Sequence, residues 1–252
     1  MVLGLPDGIR ACLFDLDGVI TDTATVHAAA WEETFDALLR RYEEGNGSHS
    51  FVRGADYAGI VDGRPRADTV RSFLSKRGIE LPEGTPDGPA DLDTVHGVGR
   101  WKSDLFDARL RAEGAEVCDD TMDYLTAARG RGLLTAVATS SVHCREILRA
   151  AGAETLFDAW IDGVVAARRH LRGKPHPDIF LAAARDLGQH PSECTVFEDA
   201  LAGMDAARSG RFGWVVGVDR ARQADALYAH GADRVVMDLT TLIGVTGSGL
   251  PA

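Results

Sequence analysis

Cysteine is scarce and widely scattered: Cys12, Cys118, Cys144 and Cys194 stand far apart in 252 residues, with no CxxC pair among them. That spacing argues against a zinc site and against a fold stapled by disulfides. Cys12 and Cys194 sit inside apolar runs, where a free thiol behaves as a small buried hydrophobe. Also missing is any apolar run long enough to span a bilayer. No Lys/Arg-rich run interrupts a net charge of −11, whereas a duplex-binding surface needs a basic stripe to displace counterions. Neither a membrane nor a nucleic acid is therefore an expected partner. Met1 to Arg10 has no basic start followed by an apolar stretch, so no signal peptide is read there and a cytoplasmic location is expected.

The composition, 45% hydrophobic and 26% charged, is that of a globular protein, and the length suits a core domain with a smaller inserted one. Short apolar runs alternate with helical spacing. Ala11–Asp15, Leu133–Ser140, Thr195–Asp199 and Phe212–Asp219 read as buried strands, with Val235–Asp238 a further one. Between them, Ile179–Leu187 places Phe180, Ala184 and Leu187 on one face, opened by Pro177 and stopped by Gly188. Such alternation predicts an α/β fold, a doubly wound parallel sheet covered by helices on both faces. From Ala24 to about Arg111 the pattern turns helical, with Trp31, Phe35, Leu38, Leu39 and Tyr42 in one stripe and two Gly/Pro/Asp-rich stretches, Gly45–Gly54 and Pro82–Gly99, read as loops. The division expected is a core of residues 1–23 and 113–243, a helical cap of residues 24–112, and a disordered tail of residues 244–252.

The polar residues cluster where strands end. Asp15 and Asp17 follow the first strand, and Gly18 permits a sharp turn after them. Ligands of open parallel sheets bind beyond the carboxyl ends of strands. Two carboxylates at such a place can divide nucleophile and proton-transfer roles. Thr139, Ser140 and Ser141 follow the second run, where hydroxyls and N–H groups can hold phosphoryl oxygens. Lys174 precedes a helix start, and Glu198 with Asp199 offers hard oxygen ligands after another strand. Each has an ordinary structural use as well: a helix cap for Ser or Thr, a solvated Lys, an acidic helix start.

Taken together and in this order, the clusters resemble the four motifs of the haloacid dehalogenase superfamily. The segments Asp15–Thr23 with His27 and Trp31, Gly173–Phe180, and Phe197–Gly203 are similar to the β-phosphoglucomutase-like family of phosphomutases and hydrolases. The resemblance covers nearly the whole chain. It implies a core with an inserted helical cap and a magnesium-dependent phosphoryl transfer through an aspartyl-phosphate. Asp15 would be the nucleophile and Asp17 the general acid/base, with Thr139, Ser140 and Lys174 on the phosphoryl oxygens. Mg2+ would be held by Asp15, Asp17 through its main-chain carbonyl, Glu198 and Asp199. The resemblance further assigns substrate contacts to His27, Trp31, Gly63, Arg66, Lys102, Ser141 and His143, with Arg66 binding a sugar phosphate. The implied reaction converts β-glucose 1-phosphate to glucose 6-phosphate through a bisphosphate. The alternative is a sugar-phosphate phosphatase with the same covalent step. The family's Ser-Lys-Asn segment is Ser141-Val142-His143 here, so one cation toward a distal phosphate is lost. Dehalogenation has no use for Asp17, and the intact polar set argues against a non-catalytic binding protein. A monomer acting on a small sugar phosphate is expected.

Overall fold

The computed structural model describes residues 2–41, 61 and 63–245. Its contacts divide the chain into two compact units, Met1–Asp22 with Ala115–Ala252, and Thr23–Gly114.

The first unit is built on six strands: β1 (Ala11–Phe14), β2 (Leu134–Ala138), β3 (Ala159–Ile161), β4 (Cys194–Glu198), β5 (Trp214–Val218) and β6 (Arg234–Val236). Every neighbouring pair is parallel, in the order β3-β2-β1-β4-β5-β6. The order reverses at β1, which makes its carboxyl end the crevice of the sheet. Alternate side chains of β1 serve opposite faces. Ala11 and Leu13 join a core with Ile179, Phe180 and Met204. On the other side Phe14 stacks on Phe197 at 4.5 Å, and Tyr124 tilts against Phe197 at 5.1 Å. β1 is wholly buried, so its apolar run is continuous rather than alternating.

The chain leaves the sheet and returns side by side. The amide of Asp22 donates to Glu116 O (3.0 Å) and that of Cys118 to Ile20 O (2.9 Å), while Thr21 bridges Val117. The outgoing and incoming strokes are thus knit together within the first unit.

The second unit is helical among its described residues, with α1 (Ala24–Leu39), α2 (Arg66–Arg77) and α3 (Val95–Glu113). Trp31, Phe35, Leu38 and Leu39 of α1 meet Val70, Phe73 and Leu74 of α2 and Val95 and Val98 of α3 in one apolar core. The spacing along α1 is the three-and-four repeat of a single helix face.

Back in the first unit, α4 (Asp119–Gly130), α5 (Cys144–Ala150), α6 (Gly163–Arg168), α7 (Asp178–Asp186), α8 (Leu201–Ser209) and α9 (Ala224–Ala229) connect the strands. Among the described residues no helix is long and apolar enough to cross a membrane.

Three expectations need correction. The stretch Pro82–Gly99 is not all loop, because α3 begins at Val95. Thr94 caps it by accepting from the Gly97 amide (2.9 Å), and a β-carbon at Gly97 would collide with Asp91, which itself accepts from the Thr94 amide (3.1 Å). Gly97 makes room for that cap rather than breaking a helix. Strand β3 had no counterpart among the expected runs. The tail was expected to be disordered from Gly244, yet Gly244 donates to Val2 O (2.7 Å) and Val245 accepts from Gly4 (2.8 Å). Residues 246–252 lie outside the described residues, as do Tyr42 and the expected loop Gly45–Gly54.

Candidate functional site

The site begins with register. Phe14 of β1 is level with Val137 of β2 and Phe197 of β4, so Asp15 emerges beside Ala138 and Glu198. Its amide donates to Phe197 O (3.0 Å), and Thr139, one residue beyond β2, donates its amide to Ile161 O (2.9 Å). Asp15, Thr139 and Glu198–Asp199 therefore leave neighbouring strands at one edge of the sheet. After Asp15 the chain turns tightly: Gly18 N donates to Thr21 O (2.7 Å), and Asp17 bridges Thr21.

Lys174 reaches this edge from the loop before α7. The ends of that loop are pinned by Arg172, whose amide (3.1 Å), Nε (3.1 Å) and terminal nitrogen (2.9 Å) all donate to Asp178. The ammonium, only 1% exposed as a residue, donates to Asp15 Oδ1 and to Glu198 Oε2, each at 2.5 Å. It also lies 5.0 Å from the Phe180 ring centroid. Burial alone would depress the Lys174 pKa, but the charges of Asp15 and Glu198 outweigh it and hold it above its ordinary value. Burial pushes Asp15 up; Lys174 opposes this and Asp17 adds to it. Glu198 is pushed up to about 8, by burial first and by Asp15 next.

Oxygens of Asp15, Glu198 and Asp199 lie within 4.8 Å of one another, all three residues buried. This is a hard, oxygen-only donor set suited to Mg2+ rather than to a soft metal. Glycines make the cluster possible. A β-carbon at Gly18, whose φ is +85°, would overlap Asp199 Oδ2, and one at Gly203 in α8 would overlap the Glu198 carboxyl. Gly203 lies in the Phe197–Gly203 segment that carried the resemblance, but nothing in the sequence says that its missing side chain makes room for a carboxylate.

The other core residues form a loop rather than a helix start, since α5 opens only at Cys144. Thr139 Oγ1 accepts from the Ser141 amide (3.1 Å), and Ser141 Oγ accepts from the His143 amide (3.3 Å). Ser140, between them, is half-buried.

In the helical unit, Lys102 Nζ lies 2.5 Å from His27 Nδ1 and is 4.6 Å from the Phe106 ring centroid, and His27 stacks on Phe106 at 4.0 Å. Trp31, expected at the substrate, is 4% exposed and stacks on Phe35 at 4.9 Å, within the core of this unit. Gly63, with φ of +73°, shapes the turn ahead of Arg66, the first residue of α2. The Arg66 guanidinium donates to Ser103 Oγ of α3. Burial lowers the Arg66 pKa, and nearby Arg100 adds to this, against Asp107 and Asp104. Ser103 was not singled out from sequence. A serine on a polar helix face gives no sign of its partner.

The chain matches a family model described as haloacid dehalogenase-like hydrolase over residues 9–211. A β-phosphoglucomutase of Mycobacterium tuberculosis (strain CDC 1551 / Oshkosh) is 48% identical over 247 residues, 96% of this chain and 94% of that one. Among solved structures, β-phosphoglucomutase from Clostridium difficile gives a TM-score of 0.73 at 23% identity over 94% of each chain, a likeness of fold. A mutant CbbY from Rhodobacter sphaeroides, in complex with xylulose-(1,5)bisphosphate, gives 0.69 at 26% identity over 96% of this chain and 100% of that one.

The buried ion triad predicts a pH-dependent cost. Lys174→Met leaves two buried acids facing each other and should lower the unfolding free energy by about 3–5 kcal/mol at alkaline pH. The raised carboxyl pKa values mean that the folded variant binds protons the unfolded chain does not. Its stability should therefore fall as pH rises above the ordinary carboxylate range, and recover toward acid. Urea denaturation at several pH values measures this; a loss independent of pH would remove the triad as its cause.

Proposed function

The chain belongs to the haloacid dehalogenase-like hydrolase family, where it is a phosphomutase or phosphatase, and on that premise we propose a β-phosphoglucomutase working through an aspartyl-phosphate on Asp15. The supporting observation is the buried arrangement of Asp15, Lys174, Glu198 and Asp199 at the crevice of the sheet. The identity to the mycobacterial β-phosphoglucomutase favours a sugar phosphate as substrate.

In this reading an Asp15 carboxylate oxygen attacks phosphorus, and the bond from phosphorus to the sugar oxygen breaks. Asp17 gives its proton to that oxygen. Lys174, already on Asp15 Oδ1, keeps the nucleophile ionised and oriented, and faces the incoming phosphoryl charge. Thr139 and the Ser140 amide hold phosphoryl oxygens. Asp15, Glu198, Asp199 and the main-chain carbonyl of Asp17 would hold Mg2+, which would supply further neutralisation of that charge. In the second half, a hydroxyl of a bound sugar phosphate loses its proton to Asp17 and takes the phosphoryl group from Asp15. The product is a bisphosphate, which donates its other phosphoryl group after rebinding in the opposite sense.

Arg66 serves the remote phosphate, its bidentate guanidinium backed by Ser103. Gly63 shapes its loop, and His27 with Lys102 forms a second polar cluster of the same unit. Ser141 and His143 belong to the loop that follows Thr139 and lie on the substrate side in this reading. Within the helical unit Trp31 acts as packing for Lys102, whose ammonium is 5.5 Å from its ring.

One observation favours the phosphatase alternative. Val142 stands where the resembling mutases carry a Lys, which removes a cation from the distal phosphate. With water as acceptor, the same covalent intermediate gives inorganic phosphate.

Three outcomes are expected. Asp15→Asn should fold and lose at least about a thousandfold in turnover, as a nucleophile substitution does; near-parental activity in a clean preparation would remove Asp15 from the role. Arg66→Ala should cost sugar phosphates far more than acetyl phosphate in kcat/KM; equal losses would make Arg66 structural. With β-glucose 1-phosphate and a trace of its 1,6-bisphosphate, glucose 6-phosphate should form much faster than inorganic phosphate. Dominant phosphate release from every sugar phosphate tried would instead select the phosphatase.

A further inference from the structure

The loop after β5 carries no motif, yet it holds both acidic segments of the site by their main chains. Asp219, 5% exposed, accepts from the Gln223 amide (2.7 Å), and its own amide donates to Val236 O (2.8 Å). This closes a short turn anchored to β6. The turn aims the Gln223 side chain at the carboxyl end of β4, where Nε2 donates to the carbonyl of Asp199 (3.0 Å). From the same turn, Arg220 reaches toward the carboxyl end of β1. Its Nε lies 3.4 Å from Gly18 O, while its terminal nitrogens grip Asp120 (2.8 and 2.9 Å) and Met237 O (2.9 Å). Asp120 is itself fixed, accepting from the Leu239 amide (2.9 Å).

These bonds bear on each other because Gly18 and Asp199 are in close approach, with no room for even a methyl group between them. Rotation of the Asp199 peptide would carry its carboxylate away from Asp15 and Glu198, and a shift of Gly18 would move the wall against which that carboxylate rests. We infer that Gln223 and Arg220 are positioning residues that orient Asp199 toward the metal. Neither belongs to the cluster of Asp15, Glu198 and Asp199 itself. The inference rests on the proposed role of Asp15, Glu198 and Asp199 as a Mg2+ site. Partners that orient metal ligands without touching the ion typically govern about 10–100-fold in affinity.

The test is Mg2+ binding to the whole chain by titration calorimetry, with melting temperatures taken in the absence and presence of the ion. Gln223→Glu keeps the shape of the side chain and loses the donor, and Gln223→Ala removes both. Each should weaken Mg2+ binding about tenfold or more, shrink the Mg2+-induced rise in melting temperature, and leave the metal-free melting temperature near the parent's. Arg220→Lys should weaken binding in the same sense. If the Ala variant fails to fold, the Glu and Arg220→Lys variants decide by the same criteria. Unaltered Mg2+ affinity in folded variants, with or without lower metal-free stability, would overturn the positioning role while leaving the metal site standing. A parent chain that binds no Mg2+ would overturn the metal reading and this inference with it.

Discussion

An ammonium group shut away from water stands between two carboxylates at the head of the sheet, and much of the surrounding architecture exists to allow it. Moving ions out of water costs several kcal/mol each, and attraction repays this only with good geometry. Lys174 has that geometry toward both Asp15 and Glu198. The loop that delivers it is cinched by Arg172 on Asp178, so the long side chain starts from a fixed base. Glu198 is the last residue of a fully buried strand, and its other oxygen accepts from the Ala200 amide (3.1 Å). Without a side chain at Gly203 the carboxyl can lie where it does. A buried charge cluster of this kind is poor insulation for the fold, and in the proposed reading it is good preparation for chemistry, because its charges are in place before a phosphoryl group arrives.

The chain is acidic overall, and a phosphorylated ligand must find cations against that background. Three such cations, Lys174 in the first unit and Arg66 and Lys102 in the second, are largely withdrawn from water. Withdrawn cations are screened less by salt than surface ones, so in the proposed reading a few of them serve a phosphate.

The strands that carry the site were legible because a buried parallel strand is written as a short, mostly apolar run, and a polar residue ends it abruptly. β1, β2, β4 and β5 were all read in this way, although each expected run extends at least one residue past the strand's carboxyl end and that for β4 starts one residue late. β3 is three residues long, Ala159–Ile161, and its half-buried tryptophan sits among helix-like neighbours, so no run stands out. The start of α3 was hidden by Gly97 and Gly99, which usually signal a loop; here Gly97 clears space for a cap. The polar motifs could be read because their spacing is local. The grip of Gln223 on Asp199, and of Arg220 on Asp120, joins residues 24 and 100 positions apart by bonds that follow no periodicity. Folding brings them together, and no local pattern records it.

The pairing of outgoing and returning chain at Ile20–Asp22 and Glu116–Cys118 has a consequence for ancestry. The six strands complete their order without any residue from the helical segment, and the two points where that segment joins are bonded to each other. To the sheet, everything between them amounts to one long loop. Loops whose ends are already close admit insertions at little entropic cost, because lengthening adds only logarithmically to closure. A lineage could therefore lengthen, shorten or replace the helices here while inheriting the acids and the lysine of the sheet unchanged.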